Sequence, residues 1–134
     1  SPSRLNHIQA EMSRVADLLH NAMLRLPGFE SYWTKHDQDS DSPHVYEVFL
    51  HLANYLEDHI DEFSDEDLKH FWEWIGWQME SPDSDIEYAV HTTFLEAIAD
   101  TQVETRSRDL MPALAKDFVD QFMQRGRKRR WFEN

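Results

Sequence analysis

Ser64-Asp65-Glu66-Asp67-Leu68-Lys69-His70-Phe71-Trp72-Glu73-Trp74-Ile75-Gly76-Trp77-Gln78-Met79 decides the fold class. Ser64 is a capping residue, and three acids follow it in what would be the first turn, where the positive end of a helix dipole favours them. Leu68, Phe71, Trp72, Ile75 and Met79 then recur at helical spacing and make one apolar stripe. Trp74 and Trp77 fall off that stripe. With Leu68 as zero they sit near 240° and 180°, at about 100° per residue. Both are therefore expected sideways or outward, beside Glu73 and Glu80.

The same period extends in both directions. Upstream, Ser42 is the expected cap and Pro43 the first residue of a helix. Its buried side would be Val45, Val48, Phe49, Leu52, Leu56, His59, Ile60 and Phe63, opposite Glu47, His51, Asn54, Glu57, Asp58 and Asp61. Farther back, Leu5, Ile8, Met12, Val15, Leu19, Met23 and Leu26 share a stripe over residues 5–26, stopped by Pro27-Gly28. Residues 29–42 read as a polar, acidic loop around Phe29, Tyr32 and Trp33.

Downstream, Ser81-Pro82-Asp83 breaks the chain. A fourth helix is expected over 84–100, with Ile86, Ala89, Val90, Thr93, Phe94 and Ala97 on one face and Tyr88 and Leu95 opposite. A fifth is expected over 108–124, capped by Ser107, with Leu110, Met111, Leu114, Phe118 and Phe122 inward and Gly126 as its end.

Period-two alternation is poor and there are only three glycines, so strands are not expected. The reading is all-α, with about five helices in one domain over residues 1–124 and a basic C-terminal tail over 125–134. Tyr55-Leu56-Glu57 recurs as Phe94-Leu95-Glu96, near the period of HEAT-type helical pairs. Stacked helical pairs are the leading architecture, with an irregular bundle as the alternative.

Charge is the second message. Asp37, Asp39, Asp41, Glu47, Glu57, Asp58, Asp61, Glu62, Asp65, Glu66 and Asp67 fall within 31 residues that contain no Lys or Arg. Residues 1–124 hold 8 basic and 25 acidic residues, whereas residues 125–134 hold 5 basic and 1 acidic. The net charge of -13 exceeds the magnitude of about 2–8 that solubility asks of a small domain. Such a field repels nucleic acid and anionic lipid and attracts a basic partner. Eight Phe, five Trp and four Tyr supply a core, which argues against disorder.

The absence of cysteine excludes disulfides, thiolate zinc sites and a cysteine nucleophile. No apolar run approaches bilayer length. The chain opens Ser1-Pro2-Ser3 rather than with Met, as in a trimmed start, and carries no signal-peptide pattern. Cytoplasmic location is the expectation.

Catalytic signatures are missing. There is no phosphate-cradling glycine loop, no Gly-x-Ser-x-Gly and no His-Glu-x-x-His. Eight histidines raise the question of a metal, and Glu47/His51 and Glu66/His70 are spaced four apart. The paired Glu-x-x-His pattern of a di-iron bundle is lacking, so no metal or cofactor is expected. Arg125-Gly126-Arg127-Lys128-Arg129-Arg130 resembles a nucleic-acid or localisation tract. Cations at a helix C-terminus that fold back onto an anionic body explain it more simply. Direct nucleic-acid binding and membrane contact are not expected.

The candidate partner-binding residues are the carboxylates Glu47, Glu57, Asp58, Asp61 and Glu62, and an anchoring surface of Glu73, Trp74, Trp77 and Glu80. Loop acids Asp37, Asp39 and Asp41 would extend their reach.

Residues 43–118 also carry a resemblance. Pro43-His44-Val45 opening a helix, an aromatic-rich acidic helix, Ala89-Val90 with Phe94-Leu95-Glu96, and Met111-Pro112-Ala113-Leu114 together resemble a family of small acidic all-helical bacterial proteins of uncharacterised function. Its members look like immunity proteins, which neutralise a toxin made by the same or a neighbouring cell. The resemblance implies a non-enzymatic protein that occludes the active site of a basic toxin, with a nuclease as the expected kind. The alternative is a non-enzymatic helical adaptor or scaffold with an endogenous basic partner.

Overall fold

The computed structural model describes residues 2–36 and 44–132. Among these the chain is helical throughout, with seven helices rather than five. They are α1 (Pro2–Arg25), α2 (Phe29–His36), α3 (Val45–His59), α4 (Asp65–Met79), α5 (Ser84–Ala89, continued through Val90–Leu95 and Glu96–Ile98), α6 (Gln102–Ser107) and α7 (Ala113–Phe132). No described helix is long and apolar enough to cross a membrane.

Residues 29–36 are the first correction. They form α2 rather than a loop, because Phe29 and Trp33, four apart, both enter the core. The reversal before it rests on Gly28, which takes φ +83°. The expected cap of α3, Ser42, lies with Pro43, Asp37, Asp39 and Asp41 outside the described residues. His44 caps that helix instead, its Nδ1 accepting from the Tyr46 N–H at 3.3 Å. Ser64 caps α4 as its sequence predicts, with the Asp67 N–H donating to its Oγ at 3.1 Å.

α5 departs from regular geometry. Its middle, Val90–Leu95, is a π-helical segment. The residue this inserts rotates everything after it by about 100°. Ile98 therefore enters the core in place of Ala97, and Leu95 is buried rather than opposite the apolar face. The Thr92 hydroxyl donates to the Tyr88 carbonyl at 2.9 Å, and His91 Nδ1 donates to that of Glu87 at 2.7 Å. These bonds occupy carbonyls in the irregular stretch.

The final helix begins at Ala113 rather than at residue 108, and an additional short helix stands before it. This is α6, capped by Thr101, and Arg108–Leu110 is a 3₁₀ turn. Pro112, which lacks an N–H, stands immediately before α7, where no intrahelical donor is needed. Gly126 does not terminate α7. Of the described glycines only Gly28 takes positive φ, and the helix continues to Phe132.

α3 is the hub. It lies against α1, α2, α5 and α6, while α4 packs on α1, α5 and α7. This is an irregular bundle around a central helix, not a row of stacked pairs. The Tyr55/Phe94 echo is coincidental in structure: the first copy sits on a regular α-helix and the second in the π-segment. The core is aromatic at its centre, where Phe94 meets Trp72, Phe71 and Phe49 at ring-centroid distances of 5.6, 5.7 and 6.5 Å.

Candidate functional site

The open arc of α4 builds the first candidate surface. Lys69, His70, Glu73, Trp77 and Glu80 are exposed. From Leu68 they span only about 100° to 200° around the helix. Trp77, at about 180°, lies within that arc and is 54% exposed. Trp74, about 60° farther round, is 3% exposed and packs on Phe49 and Phe71 at 6.1 Å from each. The placing of Trp74 on the anchoring surface, from an expected sideways or outward position, is thus corrected. α4 is covered on more than one side, so its buried arc is wider than the Leu68 stripe, and Trp74 is not available to a partner.

Trp77 forms part of a groove of about 680 Å³ between α4 and the α6–α7 connection, together with Glu73, Glu80, Met111, Pro112 and Leu114. The helix and the connection meet at Gly76, where an added Cβ would stand 3.1 Å from Pro112 Cγ. The Arg25 guanidinium lies 4.7 Å from the indole centroid and donates to the His70 carbonyl at 3.2 Å. One face of the indole is therefore covered by a cation fixed to the same helix.

The second surface is the end of α3 and the 3₁₀ turn Ile60–Glu62. Glu57, Asp58, Asp61 and Glu62 are all exposed. Glu62 pairs with His59 Nδ1, and the next acid along the chain, Asp65, pairs with Arg106 at 2.6 Å. Arg106 also donates to the Phe63 carbonyl at 3.2 Å and so fixes the turn. Among the described residues Glu57, Asp58 and Asp61 are in no ion pair.

These two surfaces do not merge. Asp65 and Trp77 are about 18 Å apart along α4. Glu47 belongs to neither: it is half-buried, about 16 Å along α3 from Asp58. The carboxylates at the end of α3 and the anchoring residues of α4 thus stand at two places, an acidic end and an apolar groove flanked by acids.

A third feature lacks any counterpart in the sequence reading. A cleft of about 290 Å³ between α2 and the end of α3 is lined by Tyr32, Lys35, His36, Tyr55, Asp58 and His59. Tyr32 stacks on His36 at 4.0 Å, and Tyr55 lies 5.0 Å from His59. Both pairs are Tyr-x-x-x-His, the one-turn helical spacing, and that repeat was the available signal. The Tyr55 hydroxyl donates to the Pro27 carbonyl at 2.7 Å. Burial raises the Tyr32 phenol pKa, and the Asp58 carboxylate adds to it; burial and then Glu62 do the same for Tyr55.

Ionising either phenol is thus harder in the folded chain than in the unfolded one. Their contribution to stability is complete below about pH 10 and is lost as pH rises from there through the raised folded values. Urea unfolding followed from pH 9 to 11.5 is expected to show stability falling above pH 10, with a shallower fall in Tyr32→Phe. An unchanged slope in that variant would remove Tyr32 from the effect.

His51, expected opposite the buried side of its helix, is half-buried and packs edge-on to Trp33 at 5.2 Å. Among the described residues no three His, Asp or Glu side chains converge as metal ligands.

Residues 19–128 match the family described as a domain of unknown function (DUF7674), and the chain belongs to that family. No curated protein and no solved structure matches it.

Proposed function

We propose that this family member is a non-enzymatic immunity protein that binds a basic toxin, a nuclease above all, in the bacterial cytosol and neutralises it by covering its active site. The observation that carries the reading is Trp77. A tryptophan left half-exposed in a strongly anionic chain, braced by Arg25 and flanked by Glu73 and Glu80, has the character of an interface anchor.

The exposed carboxylates Glu57, Asp58 and Asp61 supply the long-range part. Toxic nucleases carry basic grooves for phosphate backbones, and opposite fields speed encounter. The apolar groove then governs release. No bond is made or broken; the complex denies the toxin its substrate.

A pull-down from native cells at low and high salt identifies the partner, and binding kinetics test the surface. Asp58→Lys with Asp61→Lys is expected to slow association by about tenfold at low ionic strength, with the effect shrinking in salt. Trp77→Ala is expected to leave stability nearly unchanged and to weaken binding by tenfold or more, on the order of 2 kcal/mol, through faster dissociation. A confirmed partner indifferent to both changes would exclude this surface. A toxin gene beside this one supports immunity, whereas its absence, with a basic housekeeping partner captured, supports the adaptor reading.

A further inference from the structure

We propose that the open face of α7 pairs antiparallel with the same face of a second copy of this chain, each copy laying its basic C-terminal end against the acid-flanked Trp77 groove of the other. This goes beyond the toxin reading and needs no other partner.

α7 buries one side, through Ala115 and Val119. Leu114, Asp117, Gln121 and Arg125 recur every three to four residues on the opposite side, within about 80° of one another, and all four are exposed. Asp117 and Arg125 are in no ion pair among the described residues. Arg125 Nε donates to the Gln121 carbonyl of its own helix at 3.4 Å.

Charge is divided along this helix. At its start lies the groove, lined by Glu73, Glu80 and a single Lys69, with Asp117 one turn on. At its far end follow Arg125, Arg127, Lys128, Arg129 and Arg130. The helix persists to Phe132, and an added Cβ at Gly126 would meet nothing within 4 Å, so the chain does not turn back there. Arg127 stands about 21 Å along the helix from Ala113. The basic end therefore cannot enter the groove at the start of its own helix, but it matches that groove in a second copy.

Charge also fixes the direction. Parallel pairing would set like ends together. Antiparallel pairing about a two-fold axis at Gln121 sets residues equally far from it face to face. Asp117, four before, meets Arg125, four after, and does so twice. Leu114, seven before and on the groove edge, meets position 128 within the basic run. Gln121 meets itself, an amide that both donates and accepts. Each chain has a net charge of -13, which opposes association of two copies. Pairing through α7 brings both cationic ends into the interface, where they offset the acids; pairing through the end of α3 would not.

Light scattering of the intact chain at about 200 μM is expected to show a dimer in exchange with monomer, since one helix pair and a groove make an interface of the small, weak class. Asp117→Arg or Arg125→Asp, each acting twice in a symmetric dimer, is expected to weaken it about tenfold. Combining the two exchanges the signs and should return the affinity to within about threefold of the parent. Glu73→Lys with Glu80→Lys is also expected to weaken the dimer about tenfold. The chain has no cysteine, so Gln121→Cys places one thiol on the axis. A short bis-maleimide should join two copies of that variant and leave Asn54→Cys, exposed on α3, unjoined.

A chain that stays monomeric at that concentration, or a double charge exchange that fails to restore the dimer, would overturn the pairing. Joining of Asn54→Cys as readily as Gln121→Cys would replace it with non-specific association. Failure here is separable from failure of the toxin reading. A toxin captured through Trp77 by a monomeric chain removes only the dimer, and a dimer with no toxin found leaves the α7 pairing standing alone.

Discussion

Phe94→Ala is expected to lower the unfolding free energy by about 3–5 kcal/mol, measured by urea denaturation. Phe94 is fully buried, and its ring meets Trp72, Phe71 and Phe49. Removing it deletes the shared contact of α3, α4 and α5. The neighbours cannot close the gap readily, because Trp72 and Phe49 are themselves fully enclosed and fixed by other packing. A small domain holds only about 5–15 kcal/mol in total, so the variant should melt far below the parent. Phe94→Leu, which keeps most of the volume, is expected to cost less than half as much. A loss below about 1 kcal/mol for Phe94→Ala would mean that this packing does not carry the fold.

Gly28→Ala is expected to cost about 2–3 kcal/mol, from two sources of different origin. At φ +83° an L side chain is strained by about 1–2 kcal/mol. The added Cβ would also stand within 2.2 Å of the Tyr55 hydroxyl oxygen, forcing that group off the Pro27 carbonyl and losing a hydrogen bond worth about 1 kcal/mol. A double-mutant cycle separates the two. Tyr55→Phe removes the clashing atom and the bond together, so the double variant should cost less than the sum of the single ones. Strict additivity would show that the hydroxyl plays no part. Gly28 and Tyr55 both line the cleft between α2 and the end of α3, so the same substitution links the α1–α2 reversal to that cleft.

How much of this was legible depended on element length and on the number of neighbours. α4 was read correctly from its cap to its last turn because a Ser cap, three first-turn acids and five apolar residues at one period all agree. α2 and α6, of 8 and 6 residues, were both missed. So short a segment shows at most three apolar positions of its period, and it owes its helicity to what it packs against. The π-segment of α5 was invisible for a related reason. Nothing in Val90-His91-Thr92-Thr93-Phe94-Leu95 forbids a regular helix. The inserted residue follows from burying Leu95 and Ile98 against α3, a gain counted only once α3 is in place.

The candidate site divides in the same way. That Trp77 is off the stripe, and that the end of α3 is acidic, are facts of helical angle and composition that the sequence determines alone. Whether an off-stripe residue faces water is not such a fact, because a helix has as many buried sides as it has neighbours. Trp74 and Trp77 differ by only about 60° on α4, yet one lies in the aromatic core and the other lines a groove. The meeting of Tyr32 and Lys35 with Tyr55 and Asp58 likewise required the chain to reverse at Gly28 and return along α3. Local period and charge are properties of one segment, whereas a cleft is a property of two, and it exists only when packing has chosen which faces meet.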